Sequence, residues 1–220
     1  MDRRALDLTP PSTKGNSPTG RPPLKYGGAA VFQRALIDEV LPAVPDMLSA
    51  LAPAWPEQRK VLFGHSFGGL FTLYSLFTQP GVFDTYVAAS PSLWFNDGVI
   101  LEYEEVFLQR KGEGNAEAKT ETGDSDGKTA PKLYITGGTA EEDLLQKPGD
   151  TDDHFARRRI DVKAKQMNKR ARDLAERMRS SGLLSDVWLQ FFDLEDHGSS
   201  AVCGLQRSIN KVLDEWWVGK

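Results

Sequence analysis

Cysteine is almost absent from this chain: its 220 residues include one, Cys203, so an internal disulfide is impossible. Histidine is scarce as well, with His65, His154 and His197 the only three, and none is spaced with a second His or Cys in the way zinc ligands are. Neither a resident metal nor another cofactor is expected. Long apolar runs are missing: nothing approaches the roughly 20 residues that cross a bilayer. The opening MDRRALDLTPPSTKGNSPTG also lacks an apolar segment of the length a secretory signal needs. These gaps lead to the expectation of a cytoplasmic protein with no membrane partner. Positive charge is not in excess either. Lys and Arg number 27 against 31 Asp and Glu, a formal charge of −4, which argues against the broad basic surface that a nucleic-acid backbone requires.

What remains is an ordinary globular composition, 40% hydrophobic and 26% charged, in a length that suits one domain over residues 1–220. Residues 1–28 read as an irregular segment, because TPPSTKGNSPTGRPPLKYGG is too rich in Pro, Gly, Ser and Thr for a helix or a central strand. From Ala29 to Leu51, Phe32, Leu36, Val40, Val44, Leu48 and Leu51 recur at helical spacing and predict one buried face, with a kink or restart at Pro42 and Pro45. Strands are expected at 60–64, 85–90, 132–136 and 186–192, and helices at 67–78, 98–110, 153–180 and 199–217. The long helix should bury Ile160, Met167, Leu174 and Met178. Residues 111–130 are charged, glycine-bearing and poor in large apolar side chains, which predicts a disordered surface insertion. Alternation of strand and helix implies an α/β fold with a parallel sheet between two helical layers.

One motif carries chemistry. Gly64-His65-Ser66-Phe67-Gly68, followed by Gly69, matches G-x-S-x-G between an apolar strand and an apolar helix, the context in which that pattern holds a nucleophilic serine on a tight turn. Sterics should forbid side chains at the flanking glycines, and the Phe67 amide at the helix start is the candidate oxyanion donor. The plainer alternative is a structural glycine turn. A serine nucleophile needs a histidine base and an acid, in the chain order Ser, Asp/Glu, His. His197, in LEDHGSS after the last strand, is the candidate base, at the carboxyl end of the sheet. The loop GGTAEEDLL offers Glu141, Glu142 and Asp143 as the acid. Glu141, the first beyond the Gly-Gly turn, is the candidate, with Asp193, Glu195 and Asp196 as competitors beside the histidine.

Three further residues are candidates for binding substrate. His65 sits at a variable place in the elbow, with simple packing beside the sheet as the alternative. Trp94, with Phe95, would border the same pocket or plug the core. Arg158, in HFARRR with Arg157 and Arg159, could neutralise an anionic substrate, although such a run is more often a solvated helix face.

The run GHSFGGLFTLYSLFTQPGVFDTYVAASPSLWFN, with DLTPP and YGGAAVFQRALIDEVLP before it and FFDLEDHGSS after it, resembles the "Putative esterase" family of α/β-hydrolases. Within that family it is most similar to siderophore esterases of the trilactone and fusarinine type. The resemblance implies a three-layer α/β-hydrolase fold with a mostly parallel sheet. It also implies a serine carboxylic-ester hydrolase in which Ser66 is the nucleophile, His197 the base and Glu141 the acid, although some siderophore esterases work with a Ser-His pair alone. The substrate would be a small-molecule ester, a hydroxamate or trilactone siderophore, and any iron would arrive with it. Family members carry several strands ahead of their DLTP segment, strands this chain is expected to lack. Phe67 is then the one oxyanion donor that can be named. The strand at 60–64 would be an exposed apolar edge that invites homodimerisation. Two other readings compete: a catalytically silent binding protein that keeps the family pocket, and an esterase or thioesterase for another small acyl group.

Overall fold

The computed structural model describes residues 3–11, 25–49, 59–113 and 129–218. The four apolar runs form β1 (Val61–His65), β2 (Thr85–Ala89), β3 (Lys132–Gly138) and β4 (Asp186–Phe192), joined in one parallel sheet of order β1-β2-β3-β4. Each link between neighbouring strands carries a helix, so every connection is a crossover, as parallel pairing requires. The register pairs Gly64 with Ala88, His65 with Ala89, Ala89 with Thr136 and Gly138 with Phe192. The carboxyl ends of all four strands therefore lie along one rim of the sheet.

Alternation along the strands sorts the side chains onto two faces. Tyr86, Ala88, Leu133 and Ile135 point into a core shared with Leu70, Leu73 and Phe77 of α4 (Phe67–Thr78), Ile100 and Phe107 of α5 (Ile100–Glu113), and Leu174 and Met178 of α7 (Met167–Ser181). Val87 and Tyr134 face the other way, onto Val212 of α8 (Ser200–Val218), with Phe63, Trp188 and Trp216 packed around them. β2 is buried along its whole length. β1 is a sheet edge, and apolar side chains stay exposed beside it: Val61 on the strand, and Leu205, Ile209 and Leu213 on α8, where they line an apolar cleft.

Four expectations need correction. The segment 1–28 is not irregular throughout: α1 (Arg3–Asp7) opens it, and Thr9 is buried with its hydroxyl donating to Ala5 O at 2.7 Å. Residues 12–24 lie outside the described residues. The helix expected over 29–51 is α2 (Ala29–Ala35), a π-helical turn (Leu36–Val40) and α3 (Leu41–Ser49). The wide turn ends two residues before Pro42, which has no N–H to give, and Phe32, Val40 and Leu48 are exposed rather than buried. The helix expected over 153–180 breaks at Gln166, whose φ of 47° ends α6 (Asp152–Lys165) and begins α7. The break separates a solvated helix with no buried residue from one that buries Met167, Leu174 and Met178, and it leaves Ile160 67% exposed. Finally, the expected insertion at 111–130 begins inside α5, which runs to Glu113. Residues 114–128 lie outside the described residues.

Among the described residues no helix is long and apolar enough to cross a membrane, and no group of three or more His, Cys, Asp and Glu is arranged to hold a metal ion.

Candidate active site

β1 ends at His65 and α4 begins at Phe67, so Ser66 alone turns the chain from strand to helix. Its backbone has φ 63° and ψ −117°, a conformation an L residue keeps only when its surroundings impose it. The surroundings are backbone bonds: Ser66 N–H donates to Ala89 O at 3.0 Å, and Ser66 O accepts from Leu70 N–H at 3.0 Å and Ser92 N–H at 3.2 Å. A Cβ on Gly64 would overlap the Gly68 carbonyl, and one on Gly69 would come within 2.9 Å of Ala89 O. A Cβ on Gly68 would meet nothing within 4 Å. The steric demand expected of both flanking positions in the motif therefore falls on Gly64 and Gly69. Phe67 opens α4, where the first N–H groups have no intrahelical acceptor.

His197 arrives on the loop after β4. The Asp196 carboxylate shapes that loop, accepting from Gly198 N–H at 2.9 Å and Ser199 N–H at 3.1 Å and pairing with Lys147 Nζ at 2.6 Å. The Lys147 bond and these amides hold the Asp196 carboxyl far below its usual range. Asp193 accepts from Thr139 Oγ1 at 3.2 Å, and Glu142 accepts the Lys169 N–H at 2.8 Å. These acids are engaged in holding the loops and the start of α7.

Glu141 takes a different course because of Gly138. A side chain on Gly138 would overlap the carbonyl of Glu195. Without one, the end of β3 closes on the histidine loop, and Ala140 N–H donates to that same carbonyl at 3.1 Å. Glu141 then turns inward and is 4% exposed. Its Oε2 lies 2.8 Å from His197 Nδ1, and His197 Nε2 lies 3.0 Å from Ser66 Oγ. With Nδ1 protonated and donating to Glu141, Nε2 is left to accept the serine hydroxyl, the arrangement that activates a serine. Burial works to raise the Glu141 pKa, but hydrogen bonds from His197, Ser90 and the Gly138 amide outweigh it and hold the carboxyl below its ordinary range. Of the three acids left open by the loop sequence, Glu141 is the one beside the imidazole.

The model of the "Putative esterase" family matches residues 13–184, well over half of the chain. The chain belongs to this family. Among its relatives, the siderophore triacetylfusarinine C esterase of Aspergillus fumigatus is 31% identical over 97% of this chain, and the siderophore enterobactin esterase of Emericella nidulans is 34% identical over 90% of it. The chain spans 65% and 61% of the lengths of these two proteins. The solved structure of the siderophore hydrolase EstA from Aspergillus nidulans superposes with a TM-score of 0.82 at 31% identity, covering 96% of this chain and 65% of that one. The fold of this family member is the α/β-hydrolase fold.

Within this esterase-family chain the remaining candidates take varied positions. His65 sits beside the site: its Nε2–H donates to His197 O at 2.7 Å, and the two imidazoles lie 4.7 Å apart. Burial first, and the neighbouring His197 second, push the His65 pKa down. Trp94 is half-buried under Lys165, whose ammonium is 4.9 Å from the ring. The Arg158 guanidinium pairs with Asp150 at 2.7 Å, and Asp150 also meets His154 Nδ1 at 3.0 Å.

Three serines at the site escaped the sequence reading. Ser92 Oγ lies 3.5 Å from Ser66 Oγ, while Ser90 and Ser200 both bond Glu141. The available signal was topological: Ser90 directly follows the strand adjacent to β1, and Ser200 begins the helix three residues beyond His197.

Proposed function

We propose that this chain hydrolyses carboxylic esters, with Ser66 as nucleophile, His197 as base and Glu141 as the acid that orients it. The observation that carries the reading is the hydrogen-bonded series Ser66 Oγ, His197 and Glu141, at 3.0 and 2.8 Å. Ser66 Oγ attacks the ester carbonyl while its proton passes to His197 Nε2, and the imidazolium is stabilised by Glu141. The carbonyl oxygen gathers negative charge opposite the Phe67 N–H at the positive end of α4. Collapse expels the alcohol, which takes the proton from His197 and leaves an acyl group on Ser66. Water, deprotonated by the same imidazole, then releases the acid and restores the serine.

The substrate we assign is a siderophore ester, a hydroxamate or trilactone, because the Aspergillus and Emericella relatives are named as siderophore esterases. Iron, where present, belongs to that substrate. His65 and Trp94 stand as candidate walls of the pocket. A cytoplasmic setting remains part of this reading. The open β1 edge with its exposed apolar residues supports self-association through that edge, and sedimentation of the chain against a Leu213→Glu variant tests it.

A fluorophosphonate probe should label the wild-type protein and not Ser66→Ala, and a panel of ferric and iron-free siderophore esters, simple esters and a thioester should be cleaved with the siderophores foremost. A folded wild type that neither takes the probe nor cleaves any ester would sink the reading and favour a silent binding protein. Preference for the thioester would move the substrate class.

A further inference from the structure

Glu141 is a buried carboxylate whose only ion-pair partner among the described residues is His197. Its Oε2 meets His197, and its Oε1 collects three neutral donors: the Ser90 hydroxyl at 2.5 Å, the Gly138 N–H at 2.8 Å and the Ser200 hydroxyl at 3.2 Å. The donors come from three elements, the end of β2, the end of β3 and the start of α8. Ser90 is 3% exposed and Ser200 fully buried, so bulk water does not stand in for them.

Proton counting orders the two hydroxyls. The single hydrogen of Ser90 is committed to Glu141, so Ser90 can only accept in its 2.8 Å contact with Ser200. The Ser200 hydrogen thus chooses among Ser90 Oγ, Glu141 Oε1 and the His197 carbonyl at 3.3 Å. Ser90 holds its place at a φ of 43°, with its N–H on Thr136 O at 2.7 Å. Glycine would take that backbone without strain. A serine there keeps a strained conformation and presents a hydroxyl to the carboxylate.

We propose that Ser90 and Ser200 form a two-hydroxyl clamp that keeps Glu141 ionised and turned toward His197, acting as positioning residues for the proposed ester hydrolysis. This inference rests on the roles proposed for Ser66, His197 and Glu141. A carboxylate in a dry site becomes neutral unless donors stabilise its anion. Neutral hydroxyls do so without cancelling its charge, so the whole negative charge remains for the imidazolium that forms when Ser66 gives up its proton. The other groups facing His197 are His65 from β1, which Arg4 of α1 influences, and the Asp196–Lys147 pair at its own loop.

The test compares Ser90→Gly, which removes the hydroxyl and relaxes the backbone, with Ser90→Ala, which removes the hydroxyl and keeps the strain, and adds Ser200→Ala. The carboxyl carbon resonance of Glu141 is followed by NMR as the folded protein is acidified. With a donor gone, the anion holds a proton more tightly, so its titration should move up by about one pH unit in both Ser90 variants and by less in Ser200→Ala. The more basic carboxylate also holds the imidazolium more tightly. The acid limb of fluorophosphonate labelling should therefore move to higher pH, with labelling at a fixed acid pH about tenfold slower. A Glu141 resonance that titrates as in the wild type in both Ser90 variants overturns the clamp. A change in Ser90→Ala alone overturns it too, because strain and not the hydroxyl would then be responsible. A folded wild type that neither takes the probe nor cleaves any ester, while Glu141 responds to Ser90→Gly, upholds the clamp and overturns the hydrolase reading.

Discussion

Two carboxylates on opposite rims of the sheet show how the same side-chain chemistry is put to different ends. Glu215, on α8 near the amino ends of the strands, pairs with Lys132 at 2.5 Å and Lys211 at 2.6 Å and accepts the Tyr134 hydroxyl at 2.7 Å. Glu141, at the carboxyl ends, meets two hydroxyls, one amide and one imidazole. The charge of Glu215 is cancelled by permanent cations. That of Glu141 is balanced only when its one ionisable partner takes up a proton. An anion neutralised by lysines ties a helix to a sheet, whereas an anion left open to a histidine stabilises a cation that appears during a reaction.

The comparison breaks if the serine at the end of the Glu141 series is dispensable. Ser66→Ala, and separately His197→Ala, should lower ester hydrolysis on the order of 10³-fold or more, measured as initial rates on the same ester. Glu141→Gln should cost on the order of 10²- to 10⁴-fold in kcat, because the amide can present its N–H₂ to Nδ1 and favour the wrong tautomer. Glu215→Gln, the matching change on the other rim, should leave kcat within about twofold. Equal losses in the two glutamine variants would erase the distinction.

Acid pH sharpens it further. The lysines and the tyrosine outweigh burial and lower Glu215 from its ordinary 4.5 to about 2. In that window the unfolded chain binds the proton more readily, so this group's stabilisation is complete above pH 4.5 and is lost as the pH falls towards 2. Glu141, also lowered, acts with the same sign. Denaturant titrations between those pH values should show a weaker pH dependence in Glu215→Gln than in the wild type. The smallest effect is the stability of that variant near neutral pH, a loss of about 1 kcal/mol once solvent screening of the partly exposed pairs is allowed for.

Much of the fold was legible because strand and helix differ in period. The apolar runs at 60–64 and 186–192 stood within a residue of β1 and β4, and the helix after Ser66 matched α4. Periodicity misled where it found an apolar stripe without a partner. Phe32, Val40 and Leu48 have helical spacing and lie exposed, and Ile160 reads as buried although α6 buries nothing. Spacing reports which residues share a face, and the surface opposite decides whether the face is covered.

The site divides in the same way. The place of the turn at Ser66 is local, set by Gly64 and by the strand and helix on either side, so the sequence alone determined where the serine would stand, while bonds to Ala89 and Ser92 hold its backbone in the strained conformation. His197 was legible as the histidine following the last strand. Which acid would meet it was not. That choice depended on β3 closing against the carbonyl of Glu195 at Gly138, and on hydroxyls from Ser90 and Ser200, which are 110 residues apart in the chain and 2.8 Å apart in space. A turn is encoded by neighbours in sequence. A buried anion is stabilised by donors from several elements, and only the tertiary structure brings those together.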